Sequence, residues 1–515
     1  MRQYFKILLI ATLFASASCK VTKKAVATKD DGKIEVVFVQ VNDVYEIAPV
    51  AGGKEGGMAR VATLKKQYKQ SNPNTFLVIA GDFISPSVFN SLQYNGQRIR
   101  GAQMIESMNV AGMDIAVLGN HEFDFSEKDL QNRINESNFL WISSNTFHKI
   151  KDSIVPFTKT NVPGGVAFPQ TYIMTVKDAD GTTAKIGFIG ITLSSNPAEY
   201  VSYKDPLSTA KQLYNSLKDS VDAVVAITHQ AVEDDIKLAT QLPDLAAILG
   251  GHEHSGVFNK TGKVNITKAE ANAKTAYVVK LIINKKTLNF NTTPELIYLN
   301  EQVPLDSITN MVVEKWKKIV EDNYDSLGFD PKKIVIAAGE ALDGREAETR
   351  NRSTNFTRLI TQAMATACPQ ADAVIFNSGS IRLDDILIPP VSQYDIIRSL
   401  PFGGGIKEAD MKGSLLIQVL QAGKKNANAG GFLQYQPVVF DSASNSFMVN
   451  NTPVDTAKTY RVAVSEFLLA GKETHLDFLN PKNPDITKIY PADTSTNNPK
   501  SDIRLAIIKY LESKK

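Results

Sequence analysis

Short apolar runs alternate with helical stretches over the first 300 residues of the chain. The runs IEVVFVQV (34–41), TFLVIAG (75–81) and DIAVLG (114–119) have the length of strands and are rich in aliphatic residues. Uninterrupted apolar strands of this kind are buried on both faces, which is typical of a mainly parallel sheet covered by helices. The alternation therefore predicts an α/β fold, with the strand ends meeting at one edge of the sheet.

The same alternation continues further along the chain. Apolar runs predict strands at 185–191, 222–228 and 245–250, and Thr-, Tyr- and Val-rich strands are expected over 275–298. Helical spacing of the apolar residues predicts helices near 58–70, 101–111, 208–219, 232–241 and 307–328. A second α/β region begins near residue 332.

A chain of 515 residues has room for two to four domains at about 150 residues each. We predict an N-terminal domain over 34–300 and a C-terminal domain over 332–515, joined by a linking segment over 301–331 that is mostly helix.

The N-terminus resembles a bacterial lipoprotein signal. Arg2 and Lys6 precede an apolar run over 7–17, which is too short to span a bilayer, and small residues then lead to Cys19. We predict a signal peptide over 1–18, a lipidated Cys19 and a polar tether over 19–33. The alternative is an ordinary cleaved signal with an incidental cysteine. The lipoprotein interpretation places a soluble body in the cell envelope on a membrane anchor, and Lys20 favours an outer membrane anchor that faces the periplasm.

Composition excludes several classes of protein. Lys and Arg number 57 against 54 Asp and Glu, a balance too weak for a nucleic-acid coat, so no nucleic-acid polymer is expected as a partner. No feature implies a protein partner. The two cysteines, Cys19 and Cys368, cannot build a disulfide framework or a Cys-rich zinc site. Cys368 lies in a helical pattern and is expected in the core.

Residues that can bind metals follow the predicted strands. They are Asp43, Asp82, Asn120, His121, His229, His252 and His254. Each alone is more often a turn, capping or structural residue, but their shared placement at strand ends predicts that they converge. Oxygen and imidazole ligands without thiolate suit Zn, Mn or Fe(II). Two such ions about 4 Å apart can clamp the attacking and leaving oxygens of phosphoryl transfer.

These residues resemble, in order, the motifs of the calcineurin-like metallophosphoesterases. The motifs are Asp43, Gly81-Asp82, Gly119-Asn120-His121-Glu122, His229 and Gly251-His252-Glu253-His254. Downstream, Asn377-Ser378-Gly379-Ser380-Ile381-Arg382, Pro401-Phe402-Gly403-Gly404 and Gly431-Phe432-Leu433-Gln434 are similar to the C-terminal domain of 5′-nucleotidases. The resemblance covers about residues 34–500. It implies a four-layer α/β/β/α sandwich joined by a linking helix to a smaller α/β nucleotide-binding domain.

The resemblance implies two divalent metal ions and a role for each motif residue. Metal one would take Asp43, Asp82 and His254, and metal two would take Asp82, Asn120, His229 and His252. His121 and Asp124 match a catalytic dyad that acts beside metal-activated water. In the C-terminal domain Arg350, Asn377 and Arg382 match substrate-binding positions. Phe402 and Phe467 match two rings that sandwich a nucleobase.

Two departures from the family pattern bear on metal affinity and specificity. The first motif is usually Asp-x-His, but here Tyr45 stands at the His position, as in a branch of the superfamily with Asn-Asp-x-Tyr. We expect metal one to be the more readily lost ion, unless Tyr45 instead points at the substrate. After Phe467, Glu473 stands where the family usually has a substrate-contacting Asp.

The resemblance implies release of phosphate from nucleoside 5′-monophosphates outside the cytoplasm. Two other activities could use the same centre, a 2′,3′-cyclic nucleotide phosphodiesterase and a nucleotide-sugar pyrophosphatase. The non-enzymatic alternative is a nucleotide-binding lipoprotein whose metal site is impaired at Tyr45. Because metals and base clamp lie in different domains, we expect the substrate to bridge them near 307–328, with domain rotation opening the cleft.

Overall fold

Two six-stranded sheets pack face to face in the first 300 residues. The computed structural model of the protein describes residues 30–194, 198–491, 495 and 498–514. The strand order of the first sheet is Asn289–Tyr298, Thr275–Asn284, Lys33–Val41, Thr75–Ala80, Ile115–Val117 and Leu140–Ile142. The order of the second sheet is Thr171–Lys177, Thr183–Thr192, Ala223–His229, Ala247–Gly251, Val264–Lys268 and Val257–Thr261.

The middle strands of both sheets run parallel, and antiparallel strands lie at one edge of the first sheet and at both edges of the second. In the first sheet, Lys33–Val41 pairs in parallel with Thr75–Ala80, so Val39 lies beside Leu77. In the second sheet, Thr183–Thr192, Ala223–His229 and Ala247–Gly251 are parallel neighbours. The predicted strands over 34–41, 75–81, 114–119, 185–191, 222–228 and 245–250 are thereby confirmed.

Apolar side chains fill the space between the two sheets. Phe38 of the first sheet meets Phe188 of the second edge to face, with ring centroids 5.8 Å apart. Alternate residues of each strand point to the opposite face, where helices cover them. Met58–Ser71, Ala102–Ala111 and Glu127–Glu136 pack on the first sheet, and Pro206–Leu217 and Val232–Gln241 pack on the second. The four layers are the predicted α/β/β/α sandwich.

The linking helix spans Ser307–Ser326, with Asp306 as its N-cap. It packs against the helices Met58–Ser71 and Ala102–Ala111 on the outside of the first sheet. Trp316 anchors it there, because its indole nitrogen donates a hydrogen bond of 2.8 Å to Glu106. The helix predicted over 307–328 is confirmed, and it ends at Ser326, two residues before the left-handed Gly328.

The C-terminal region is built on a five-stranded mixed sheet. Its order is Leu433–Gln436, Ala373–Asn377, Thr459–Ser465, Ile406–Lys412 and Ile486–Ile489. The helices Asn355–Ala367 and Ile503–Glu512 pack on one face, and Gly413–Lys425 packs on the other. Short helices at Glu346–Thr349, Gln393–Ser399 and Glu466–Leu469 complete the region. Cys368 is buried in this core, as expected, and burial raises the pKa of its thiol to about 12.

Both halves also contain short strands outside the main sheets. In the N-terminal half they are Gln93–Tyr94, Gln97–Arg98, Thr146–Ile150, Ser153–Val155, Thr158–Lys159, Val166–Ala167 and Val201–Tyr203. In the C-terminal half they are Ile334–Ile336, Leu342–Asp343, Ile386–Leu387, Val391–Ser392, Val438–Asp441, Ser446–Val449 and Thr452–Pro453.

Cys19 and the signal-like segment lie outside the described residues, so the lipid anchor stays a prediction. The domain limits also stay predictions. Among the described residues, no helix combines the length and apolar character needed to cross a bilayer.

Candidate metal centre and substrate cleft

The predicted metal ligands gather at the carboxyl ends of strands from both sheets. Asp43 follows Lys33–Val41, and Asp82 follows Thr75–Ala80. His229 ends its own strand, and His252 and His254 follow Ala247–Gly251. Four of these residues adopt positive φ angles, namely Asp43, Asp82, His252 and His254. This conformation is uncommon for non-glycine residues and concentrates at functional sites.

Asp43, Asp82 and His229 form the buried heart of the centre. One ligand atom from each lies within 4.8 Å of the others. Nδ1 of His229 donates a 2.8 Å hydrogen bond to the carbonyl of Ala80, which leaves Nε2 facing the carboxylates. Nε2 lies 3.1 Å from Oδ2 of Asp82 without the alignment of a hydrogen bond. Once Nε2 loses its proton, this nitrogen and the carboxylate can bind a common cation.

The charges of these groups shift one another's ionisation. Burial would lower the pKa of His229, but Asp82 and Asp43 raise it to about 9. Burial would raise the pKa of Asp43, but the charges of His229 and His254 hold it below its ordinary value. Burial and the neighbouring His229 lower the pKa of His252 to about 4, so that ring is neutral and able to act as a ligand.

Buried polar atoms without partners support a metal at this position. Oδ1 of Asn120 and Nε2 of His229 have no hydrogen-bond partner among the described residues, although both residues are buried. Leaving a buried acceptor unsatisfied costs about 1–3 kcal/mol, and a cation bound between the two atoms would remove that cost. The donor set of carboxylate, amide and imidazole fits a divalent metal.

Tyr45 occupies the space beside the first ligand set. Its hydroxyl oxygen lies 2.8 Å from Nε2 of His254, 3.2 Å from Oδ1 of Asp43 and 3.4 Å from Oδ2 of Asp82. The phenol therefore points at the candidate metal ligands Asp43, Asp82 and His254. Burial, with the charges of Asp43 and Asp82, raises its pKa well above the ordinary value, so the hydroxyl is neutral.

His121 and Asp124 form the predicted pair. They lie in one short 3₁₀ turn, and Nδ1 of His121 donates to Oδ2 of Asp124 across 2.8 Å. Ser85 donates to the same carboxylate oxygen at 2.9 Å. The backbone nitrogen of His121 donates to Oδ1 of Asp82 at 2.8 Å. The pair is thus fixed directly to a candidate metal ligand.

Sequence reasoning assigned no role to two buried supports of the centre. Glu122 accepts backbone hydrogen bonds from Asp82 at 2.9 Å, Phe83 at 2.8 Å and Gly119 at 2.6 Å, and burial raises its pKa to about 7. It ties the Asp82 loop to the Asn120 loop. The Gly-Asn-His-Glu motif contained this residue, but the motif alone does not show where its side chain points.

Lys268 is the second support, and it is fully buried. Its ammonium donates to the carbonyls of Gln230 at 2.6 Å and Gly251 at 2.9 Å, and it pairs with Asp235 and Glu253. These contacts hold together the loops that present His229, His252 and His254. A lone lysine in a strand carries no sequence signal for this role.

A cleft of about 1380 Å³ lies between the two halves of the molecule. Asp82, Asn120, His121, Asp124, His252 and His254 line one wall. All six substrate-binding residues expected from the resemblance line the other wall: Arg350, Asn377, Arg382, Phe402, Phe467 and Glu473. The two sets of predicted residues therefore face one another.

The residues of the far wall are arranged for a charged, ring-bearing ligand. Phe402 and Phe467 are 58% and 43% exposed, although both are large apolar side chains. Asn377 donates through Nδ2 to Oε2 of Glu473 at 2.9 Å. Nη2 of Arg382 donates to Nε2 of His121 at 3.2 Å, so the guanidinium already spans the cleft.

The expectation that the substrate bridges the domains near 307–328 finds no support in the cleft. None of the described residues that line the cleft belongs to the linking helix. The helix packs outside the first sheet, whereas the candidate metal ligands lie at the carboxyl ends of strands of both sheets. A connection can join two domains without lying beside the cleft that they form.

Comparisons with known proteins agree with this architecture. Residues 36–256 match the model of the calcineurin-like phosphoesterases, whose members use divalent metals. Residues 335–479 match the model of the 5′-nucleotidase C-terminal domain. Together the two matches cover most of the chain.

Similarity to known proteins extends over most of the chain. The 5′-nucleotidase of Bos taurus is 25% identical over 474 residues, which is 81% of this chain and 78% of the relative. Protein UshA of Yersinia enterocolitica is 23% identical, over 93% of this chain and 96% of the relative. The crystal structure of the 5′-nucleotidase precursor from Thermus thermophilus has the same fold, with a TM-score of 0.69, 23% identity and coverage of 94% of this chain and 97% of that one. The chain belongs to the 5′-nucleotidase family and is a hydrolase with a calcineurin-like metallophosphoesterase domain and a 5′-nucleotidase C-terminal domain.

Proposed function

We propose that the protein is a metal-dependent phosphomonoesterase that releases phosphate from nucleoside 5′-monophosphates. One observation carries this proposal: a metal-type centre with a His-Asp pair and two exposed aromatic rings lie on opposite walls of one cleft. A nucleoside monophosphate has a phosphate at one end and a planar base at the other, which matches that separation of chemistry. The relatives named 5′-nucleotidase support the same substrate class.

Two divalent ions would be held by the ligands at the strand ends. Asp43, Asp82 and His254, with the hydroxyl of Tyr45 beside them, would hold metal one. Metal two would be held by Asp82, Asn120, His229 and His252. When bound, such ions lower the pKa of water and neutralise charge on a phosphoryl group.

His121, oriented by Asp124, would donate a proton to the leaving group. Because Asp124 holds the hydrogen on Nδ1, the Nε2 atom of His121 is the one that faces the cleft. Nε2 can donate a proton to the departing ribose oxygen, and Asp124 stabilises the charged ring. A positioned acid of this kind contributes about 10²–10⁴-fold to a rate.

The far wall would bind the rest of the substrate. The arginines Arg350 and Arg382 offer forked donors to phosphate oxygens. Phe402 and Phe467 would stack on the base, and such stacking accepts different bases. Asn377 and Glu473 would contact the base or sugar. Glu473 is longer than the Asp expected there and is the first candidate for a changed preference.

We further propose that the protein is anchored in the cell envelope through Cys19. The motif at residues 16–19 and the polar segment that follows it support this proposal. We retain the division into domains at 34–300 and 332–515, because each range contains its own sheets and core.

Product analysis distinguishes the proposed activity from its alternatives. The metal-loaded protein is incubated with AMP, UMP, 2′,3′-cyclic AMP, UDP-glucose and an aryl phosphate, and the products are separated by chromatography. Preferred release of phosphate and nucleoside from AMP or UMP supports the proposal. Preferred opening of the cyclic ester, or release of UMP from UDP-glucose, would replace it with one of the two other phosphoesterase activities. Nucleotide binding without turnover would make the protein a binding lipoprotein.

A further inference from the structure

One loop of the C-terminal half reaches across the cleft to the metal centre. The loop spans residues 382–385 and makes three contacts with the N-terminal half. Arg382 reaches His121, as described above. Asp385 pairs with Lys274 at 3.2 Å. Asp384 lies between these two contacts and bonds a candidate metal ligand.

The contact of Asp384 is with the far side of the His254 ring. Oδ2 of Asp384 accepts a hydrogen bond of 2.7 Å from Nδ1 of His254, although the two residues are 130 positions apart in the chain. Oδ1 accepts a second hydrogen bond of 2.7 Å, from the backbone nitrogen of Glu346. Both oxygens are therefore engaged, and the orientation of the carboxylate is fixed.

This hydrogen bond decides which nitrogen of His254 can bind a metal. With the hydrogen on Nδ1, the lone pair lies on Nε2, which is 3.4 Å from Oδ1 of Asp43. Ligating histidines usually donate their other N–H to such an outer partner, and loss of that partner costs 10–100-fold in metal affinity.

The second ligand set receives its orientation differently. Nδ1 of His229 donates to the carbonyl of Ala80, which belongs to the same half of the molecule. His229 thus keeps its orientation whether or not the two halves are together. His254, in contrast, receives its outer partner from the opposite half.

We propose that Asp384 is a positioning residue for metal one, supplied across the domain interface only when the cleft is closed. Binding of metal one and closure of the domains are then coupled, and each strengthens the other because such linkage is reciprocal. This inference rests on the ligand sets of the proposed function. It goes beyond them by assigning a role to a residue outside every motif of the resemblance.

The test measures metal affinity and does not depend on turnover. The full chain, purified in detergent and stripped of metal, is titrated with Mn²⁺, and in parallel with Zn²⁺, against a chelating dye. The variant is Asp384→Asn, because Asn tolerates the φ of 42° at this position and removes the charge. Asp384→Gly, which also accepts that φ, is a second variant. The matched control is Asp385→Asn, which removes a carboxylate from the same interface without touching a histidine.

We expect both Asp384 variants to lower the affinity for the more weakly bound ion by 10–100-fold. The affinity for the more tightly bound ion should stay within about threefold of the wild type. Asp385→Asn should leave both affinities within about threefold of the wild type. In the wild type, saturating Mn²⁺ should also narrow the distance between spin labels placed on the two halves, and Asp384→Asn should reduce this change.

Three results would overturn the inference. Unchanged affinity for the weaker ion in the Asp384 variants would reject it and leave the proposed function standing. An equal loss in Asp385→Asn would also reject it, since the effect would then belong to the interface in general. Absence of metal binding by the wild type would overturn the proposed function as well, so the two failures are distinguishable.

Discussion

The hydroxyl of Tyr45 lies 2.8 Å from Nε2 of His254, in the position where the family pattern places a metal-binding histidine. A neutral phenol is a weaker ligand than an imidazole. The first ligand set therefore has two carboxylates and one histidine but lacks the second imidazole.

We predict that the wild type retains one divalent ion tightly after extensive dialysis and loses most of the other. Tyr45→His should restore a strong ligand and retain close to two ions per chain. Tyr45→Phe, which removes the hydroxyl alone, should retain no more than the wild type. Elemental analysis of the dialysed proteins measures this. Two equally tight ions in the wild type would show that Tyr45 does not weaken the centre.

The second prediction concerns the catalytic rate and follows from the His121–Asp124 pair. His121→Ala should lower kcat for AMP by about 10²–10⁴-fold, because it removes the proposed general acid for the leaving oxygen. Asp124→Asn should lower kcat less, and neither change should reduce the bound metal. Steady-state kinetics with metal analysis of the same samples is the measurement.

The control for Asp124→Asn is Glu127→Gln. Glu127 also accepts a hydrogen bond from a histidine, His148, at 2.7 Å, but neither of these two residues lines the cleft. This variant should keep the wild-type kcat. An equal loss in both variants would indicate a structural effect of the helix that follows.

The exposed rings of the cleft make a prediction about binding. Stacking on a base contributes about 1–3 kcal/mol, so Phe402→Ala or Phe467→Ala should raise KM for AMP by roughly 5–150-fold. Hydrolysis of ribose 5-phosphate, which has no base, should change little. Phe258→Ala removes an equally exposed ring outside the cleft and serves as the control. Parallel losses with AMP and ribose 5-phosphate would contradict base stacking.

The environment of Glu46 leads to a prediction about how the stability of the protein depends on pH. Its carboxylate is only 6% exposed and accepts a 2.9 Å hydrogen bond from Tyr394 across the domain interface, and burial raises its pKa from 4.5 to about 7. The folded protein therefore binds this proton more tightly than the unfolded chain. The contribution of Glu46 to the free energy of unfolding should fall as pH rises from 4.5 to 7, by at most about 3 kcal/mol.

Thermal midpoints at pH 5 and pH 8 test this prediction. Glu46→Gln should match the wild type at pH 5 and exceed it by several degrees at pH 8. Glu314→Gln, a change at an exposed carboxylate on the linking helix, should follow the wild type at both values. The positive charge of Arg398 acts against the rise in the pKa of Glu46. A difference of the opposite sign at pH 8 would show that this charge keeps Glu46 ionised and stabilising.

Much of the fold could be predicted because its central strands are continuous apolar runs. The strands over 34–41 and 75–81, with the aspartates after each, identify the edge of the sheet where the centre lies. The strands Val257–Thr261 and Val264–Lys268 were not predicted. They lie at the edge of the second sheet, and Val264–Lys268 carries the polar side chains of Asn265, Thr267 and Lys268.

The outer supports of the centre were beyond prediction for a different reason. Glu122 and Lys268 act through hydrogen bonds to backbone atoms, which no spacing of residue types encodes. The bond from His254 to Asp384 depends on how two domains meet. The expectation that the substrate lies near the linking helix found no support for the same reason. A helix pattern shows an apolar face but not which surface covers it.

The most direct test of the account is phosphate release from AMP by protein stripped of metal and then given Zn²⁺, Mn²⁺, Mg²⁺ or Ca²⁺, with His121→Ala beside the wild type. We predict no release without metal, strong release with at least one ion, and loss of activity in His121→Ala despite retained metal. Release that needs no metal and survives in His121→Ala, or no release with any of the four ions, would contradict it.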